Sequence, residues 1–434
     1  MDPANLSMMI SVLLLFLLLF MGVNIGASLC LSGITGTFLF LGSWEPAFSV
    51  LLLQVFDVAT SYPMMVIPLF VLMGAIASEC GMTGDVFTLF YRLLGRVRGG
   101  VAIATVFTSA GMASISGSSV AVSSAMTRIA LPELRRFDYN ERLSVGAIAS
   151  GGTLAIIIPP SIALVLFAIF AQQSVGKMLL AGIVPGLIIA VGYVIKIYLR
   201  CVIDPKLAPL GPKFTAKEKL EALPGVLPFF AVILAVILGI LFGIWTPVES
   251  AAVAVILVAI IAFIRGRMTW SAFLIAAKNS VLISTSIFFV VIGSMVFGNY
   301  LALSGFSENI VNWISAYSLS SLQLFIAIII VYMVLGMFME GASILALTVP
   351  LVMPLVASAG WNPIWFGVVL VVLIEVAAVT PPVGLNLYAV KASSPGTSIG
   401  SIIVGCMPFW LINLGAICLF YFVPWFVLVL PNLQ

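Results

Sequence analysis

Apolar stretches of about 20 residues, separated by short polar breaks, run through the whole 434-residue chain, and this pattern decides the solvent before any single residue is considered. With a mean hydropathy of +1.28 and only 8% charged residues, the chain is a polytopic membrane protein. Transmembrane β-strands are about 10 residues long and alternate in polarity, which these runs do not, so the fold class is an all-α polytopic bundle. The first run, Leu6 to Gly22, has no basic residue before it and no A-x-A cleavage site, and reads as a retained first span rather than a signal peptide. No hydrophilic block is long enough to be a soluble domain. The longest, DPKLAPLGPKFTAKEKLEAL from Asp204 to Leu223, reads as a connector.

Several chemistries are excluded by residue type. The sequence contains no histidine, which removes Ser-His, Cys-His and His-metal sites together; a rhomboid-like reading of Ser116-Gly117 therefore lacks its general base. Five cysteines, at 30, 80, 201, 406 and 418, are scattered through apolar runs and behave as small hydrophobes rather than a disulfide frame. No G-x-x-x-x-G-K-[ST] loop is present, so ATP is not bound by the P-loop route. Enzymatic readings are left with few parts, and nothing points to nucleic acid.

Internal repetition is more informative. The double prolines Pro159-Pro160 and Pro381-Pro382 lie 222 residues apart, and Gly117 and Gly341, opening GSSVAVSSAM and GASILALTVP, lie 224 apart. MGVNIGAS at Met21 answers FGIWTPVES at Phe242 after 221 residues, and FVLMG at Phe70 answers FVVIG at Phe289 after 219. Four matches in one order at nearly one offset, close to half the chain length, mean one unit written twice. The halves are read as residues 1–215 and 216–434.

The basic residues orient them. Lys and Arg cluster at 92–98, 128–142, 196–219 and 265–278, and only Lys391 follows, so these clusters mark the cytoplasmic side. Segment 99–135 begins and ends among them and is read as a re-entrant hairpin dipping in from the cytoplasm. Segment 321–359 has no positive charge at either foot and is read as a hairpin dipping in from the periplasm. Five spans plus one hairpin per half invert the second copy, giving an inverted-repeat transporter plan with both termini periplasmic. Each hairpin is followed by an interrupted helix, over 141–173 with the break GGTLAIIIPPS and over 363–391 with the break TPPVG.

A tip of glycine and serine at membrane depth is tolerated only where it lines an enclosed, wet cavity, since each unpaired backbone group in lipid costs several kcal/mol by rough estimate. A tip facing a proline break supplies hydroxyls and freed carbonyls, a cage of neutral oxygens suited to a hard monovalent cation such as Na⁺. The first cage would draw on Ser116, Gly117, Ser118, Ser119, Thr153, Pro159 and Pro160; the second on Gly341, Ser343, Thr380, Pro381, Pro382 and Gly384. The substrate is expected between the tips, near Ser119, Ser161, Ser343 and Asn386. Close helix packing through small residues is the competing explanation, and it is the preferred one for Ser123 and Ser124. Three carboxylates, Glu249, Glu340 and Glu375, stand near breaks and read equally as ion ligands or as braces for exposed N–H groups. Arg128 reads as a snorkelling residue near the hairpin foot. The amphipathic pieces Val86 to Arg98 and Phe306 to Tyr317 read as interfacial helices.

Together GMASISGSS, the PPS break, GIWTPVESAA, MEG and TPPVGLNLY resemble the large membrane subunit of TRAP transporters (tripartite ATP-independent periplasmic, DctM-like), over essentially the whole chain. The resemblance implies a scaffold and a mobile transport domain, an elevator-type mechanism, Na⁺ coupling with two or more ions, and a bacterial inner membrane. It also implies a small four-helix membrane subunit as a separate chain, and a soluble periplasmic binding protein delivering an organic acid such as a C4-dicarboxylate or a sialic acid. Asn24-Ile25 departs from the Pro-Ile common in the family and concerns only the start of one helix. The alternative is a binding-protein-independent sodium/anion symporter or exchanger of the same superfamily. An intramembrane enzyme would need a paired nucleophile and base or two mid-membrane aspartates, which Asp2, Asp57, Asp85, Asp138 and Asp204 do not supply.

Overall fold

The computed structural model describes residues 3–306, 309, 311–312 and 319–434, with side chains from residue 6 onward apart from those of 113–116. Every regular element among them is helical. The first half runs α1 (Pro3–Phe20), α2 (Ile25–Leu41), α3 (Trp44–Thr60), α4 (Val66–Glu79), α5 (Met82–Leu94), α6 (Gly100–Ser116), α7 (Ser119–Arg136), α8 (Glu141–Ile157), α9 (Ile162–Phe170) and α10 (Val175–Ile203). The second runs α11 (Ala216–Leu241), α12 (Pro247–Ile264), α13 (Trp270–Leu303), α14 (Ser321–Phe338), α15 (Gly341–Ser358), α16 (Pro363–Ala378), α17 (Leu385–Ser393), α18 (Ile399–Phe422) and a short α19 (Trp425–Leu428).

The helix starts repeat with the sequence. N-caps at Asn24 and Thr246, Ser118 and Glu340, and Asn140 and Asn362 are each 222 positions apart. Asn140 and Asn362 cap in the same way, each side chain accepting from the second and third helical amides. Asn24 also accepts, at 2.9 Å from the Gly26 amide, so the unusual residue there supplies its own cap. One difference between the halves has a local cause. Ser61-Tyr62-Pro63 divides α3 from α4 with a 62° bend, whereas α13, which has no internal proline, continues unbroken for 34 residues.

Among the described residues, seven helices are each long and apolar enough to cross a membrane, and α3–α4 and α8–α9 are bent pairs that qualify together. Large apolar side chains such as Leu13, Leu52, Phe56, Ile256 and Phe263 are exposed on α1, α3 and α12, where only lipid or another apolar partner suits them. By contrast α8 is buried from Leu143 to Ile157 and α16 from Trp365 to Ala378. The interrupted helices are thus the most enclosed elements, which is where irregular backbone is tolerated. Around them α6, α7 and α18 pack on α8, and α14, α15 and α18 on α16, while α2, α4, α12 and α13 pack on one another. Glycines set the closest approaches: a β-carbon on Gly146 would run into the Gly405 carbonyl across α8 and α18, and one on Gly293 into the Gly26 carbonyl across α13 and α2.

Two local readings change. The connector is a 3-10 turn at Pro205–Leu207 followed by irregular chain only as far as Thr215, because a Thr215–Glu218 capping box starts α11 at Ala216. The piece from Val86 to Arg98 is helical only to Leu94, and α5 buries Met82, Val86, Phe87 and Leu89 against neighbours that include α6 and α11. Phe306 to Tyr317 lies largely outside the described residues. All five cysteines are free; four are buried and Cys418 is exposed.

Candidate functional site

At the first tip, α6 ends on Ser116, whose side chain lies outside those described. Gly117 then takes φ +60°, a left-handed turn in which a β-carbon would also collide with the Ile162 side chain, so position and space both require glycine. Ser118 caps α7 by accepting from the Ala121 amide at 3.4 Å. Ser119, the first helical residue, is buried and donates to Glu375 Oε1 at 3.2 Å. Opposite, the first break carries a cis Pro159–Pro160 bond. Ser161 is committed there as the cap of α9: its hydroxyl donates to the Ile156 carbonyl and accepts from the Leu164 amide. Thr153, fully buried one turn before the break, donates to the Ser150 carbonyl at 2.7 Å and stands 3.1 Å from the Tyr193 hydroxyl, which in turn donates to Asn413.

The second tip is built differently. Met339 and Glu340 turn the chain through extended backbone, so Gly341 has no left-handed φ to satisfy; its constraint is packing, a β-carbon there meeting Ile374 Cγ2 at 3.3 Å. Glu340 occupies the N-cap position with its carboxyl close to the amides of Ala342 and Ser343, but without a cap hydrogen bond of normal geometry. Here a positive-φ glycine lies in the break rather than at the tip. Gly384, at φ +62°, donates its N–H to the Met337 carbonyl at 3.1 Å, and thereby ties the second break to the first arm of the second hairpin. Beside it are the cis Pro381–Pro382 bond and Thr380, which donates to the Val376 carbonyl at 2.6 Å.

The halves interlock crosswise, with α7 packing on α17 and α15 on α9. As a result Ser119 from the first tip, Glu375 from before the second break and Asn386 from after it come together. Glu375 is 1% exposed and Asn386 0%. Glu375 Oε2 and both amide atoms of Asn386 make no hydrogen bond of normal geometry among the described residues, although the Asn386 side chain stands close to the Glu375 carboxyl. A buried carboxylate with spare lone pairs, an amide oxygen and a hydroxyl form an oxygen-rich pocket that a small hard cation can fill, since a buried charge otherwise lacks compensation. Alongside lies a cavity of about 820 Å³ whose wall includes Gly117 and Ser118 from the first tip, Glu340 and Ala342 from the second, Tyr388 from α17 and Ser286 from α13.

Of the four residues expected around a substrate, Ser119 and Asn386 converge on Glu375, Ser161 is a helix cap, and Ser343 is buried in the first turn of α15; the cavity wall carries their neighbours instead. Tyr388 was within reach of sequence reasoning as the last residue of TPPVGLNLY, whereas nothing around Ser286 marks it. The third carboxylate has a settled part: Glu249 forms a capping box with Thr246, accepting from its amide at 2.8 Å while its own amide donates to the Thr246 hydroxyl.

Residues 12–426 match the family model for the tripartite ATP-independent periplasmic transporter, DctM component. The chain belongs to the DctM family. Among its relatives, a C4-dicarboxylate TRAP transporter large permease protein of Pseudomonas aeruginosa is 32% identical over 88% of this chain and 89% of its own length. The namesake of Vibrio cholerae is 29% identical over 98% of both chains, and a sialic acid TRAP transporter large permease protein from that organism is 25% identical over 96% of both. The DctM fold itself is shared with the solved YdaH transporter of Alcanivorax borkumensis, at TM-score 0.59 and 14% identity over 88% of this chain and 90% of that one.

Proposed function

We propose that this DctM chain is the large permease subunit of a TRAP system that takes up an organic acid across the bacterial inner membrane, coupled to Na⁺. It works with a small membrane subunit and a periplasmic binding protein. The observation that carries the reading is the junction at Glu375: the first tip and both sides of the second break meet at one buried, incompletely satisfied cluster, beside a cavity walled by both tips. Na⁺ in that cluster, and a second ion among the oxygens of the first break, would fix the tips around the substrate. Moving more sodium charges than substrate charges adds the membrane potential as a driving force, about 2.3 kcal/mol per charge per 100 mV. The relatives named for C4-dicarboxylates and sialic acid support a carboxylate as the substrate class. For the elevator step, the hairpins and interrupted helices form the moving body and α2, α4, α12 and α13 the scaffold, a division supported by how each group packs chiefly on itself.

The test is uptake into proteoliposomes containing this chain and its small subunit, with candidate binding proteins loaded with organic acids. Uptake should require the binding protein and should collapse when choline replaces Na⁺ at constant pH. A rate indifferent to that replacement overturns the sodium mechanism.

A further inference from the structure

At the cytoplasmic end of the molecule, as the basic clusters assign it, a second cavity of about 390 Å³ opens between the start of α8, the second half of α10 and the first half of α18. Its wall carries three basic side chains, Arg142, Lys196 and Arg200, and no carboxylate. None of the three makes a salt bridge within the described residues, and the acids nearest in sequence are engaged elsewhere: Glu141 pairs with Arg135, and Asp204 caps the amide of Lys206. Basic groups crowded on one cavity without an acidic partner repel each other when charged, and an anion among them relieves that repulsion.

Ordinary snorkelling explains Arg200, near the end of α10, but not Lys196. That residue lies two turns inside the helix, and its ammonium is folded back to 3.5 Å from the centroid of the Phe409 ring on α18, which holds the charge at the cavity rather than out in the water. A second feature acts in the same direction. The first turn of α8 borders the cavity through Asn140, Arg142 and Leu143, so the positive end of a 17-residue helix faces it. A third gives the source of the anion. The flanking surfaces are apolar and exposed, through Ile195 and Leu199 on α10 and Val404 and Leu411 on α18, so the cavity opens onto the acyl region of the bilayer.

We infer that this cavity holds the phosphate headgroup of an anionic phospholipid from the cytoplasmic leaflet, with Arg142, Lys196 and Arg200 around the phosphate and the acyl chains along α10 and α18. Basic pockets between transmembrane helices on the cytoplasmic side are suited to such headgroups. All three walls belong to elements packed on one another, so the lipid would brace α8, the interrupted helix behind the first tip, against α10 and α18. The inference does not depend on which solute is carried.

Thermal stability of the purified complex of this chain with its small subunit, in a lipid-free detergent, is measured against added phosphatidylglycerol, phosphatidylcholine or inorganic phosphate. Phosphatidylglycerol should stabilise saturably and phosphatidylcholine should not. In Lys196→Gln/Arg200→Gln the half-saturating phosphatidylglycerol concentration should rise at least about tenfold, from the loss of charge-assisted contacts. Lys217→Gln/Lys219→Gln, which removes two charges near the same end but outside the cavity, should leave it unchanged. Native mass spectrometry of the unsubstituted complex provides a readout independent of the variants' folding, with anionic lipid retained in preference to zwitterionic. Equal stabilisation by phosphatidylcholine, an unchanged curve in the double variant, or no preferential retention overturns the proposal. Full stabilisation by inorganic phosphate alone also overturns it and makes the pocket a site for a soluble anion.

Discussion

A carboxyl group placed where Glu375 lies is costly unless something compensates it, because it is buried and no Lys or Arg among the described residues bonds to it. Ser119 bonds one oxygen and leaves the other, near the Asn386 side chain, without a hydrogen bond of normal geometry, so Ser119 and Glu375 have separable effects. Glu375→Gln keeps the shape and an oxygen for Ser119 while deleting the charge; the Na⁺ concentration for half-maximal uptake should rise about tenfold or more, the loss of one strong charge-assisted contact. Ser119→Ala removes one hydroxyl and should raise it only a few-fold, with a stability loss of about 1–3 kcal/mol from the oxygen left unpaired. A sodium titration unmoved in Glu375→Gln would reduce that residue to a brace. Glu249 makes the useful contrast, since its bonds are those of a capping box. Glu249→Ala should cost about 1 kcal/mol, seen as a lowered melting temperature, and leave the sodium dependence alone. Sequence marked all three acids equally, as charges in apolar runs. What separates them is tertiary: Glu249 finds its partner three residues away, while Glu375 finds one 256 residues away, and periodicity reports the faces of a helix but not which helices meet.

At the scale of elements, the interruptions were legible because proline and glycine act locally. Both double prolines fall between helices, and both hairpin tips fall where glycine and small polar residues cluster. The two tips nonetheless turn by different means, a left-handed Gly117 in one and extended Met339-Glu340 in the other. A repeated motif preserves where the chain turns more faithfully than how. The bend at Pro63 and the unbroken α13 illustrate the same limit, since aligned segments of one repeat need not share a break. Helix contacts too close for any side chain give a further prediction. Gly146→Val would drive α8 from the Gly405 backbone of α18, and the overpacking should cost about 1–3 kcal/mol, measured as a fall in melting temperature and in monodisperse yield. Gly415→Val on the same α18, where a β-carbon meets nothing within 4 Å, should be nearly silent.

For the whole molecule the decisive quantity is orientation, because alternating access by an inverted repeat requires the two hairpins to dip in from opposite faces. Charge supplies the argument. The foot of the first hairpin carries Arg135 and Arg136 with Arg142 just beyond, while the equivalent foot at 355–362 carries no charge at all. Five crossings and one hairpin before the second copy begins would then put its hairpin foot outside, which is the expectation to be tested. Positions 136 and 358 are repeat equivalents, 222 apart; each is exposed at the end of its hairpin, on α7 and α15, and accessible to a reagent in the adjacent water. The native cysteines interfere little, since only Cys418 is exposed and Cys418→Ser removes it. In that background, Arg136→Cys should react with a membrane-impermeant maleimide only after the cytoplasmic face is opened, and Ser358→Cys should react in intact spheroplasts. Arg136→Cys removes a single cation and leaves Arg135 and Arg142 to hold the topology. Labelling of both positions from one face would mean that the halves run in parallel, and the hairpins could not then serve as gates on opposite sides of one substrate site.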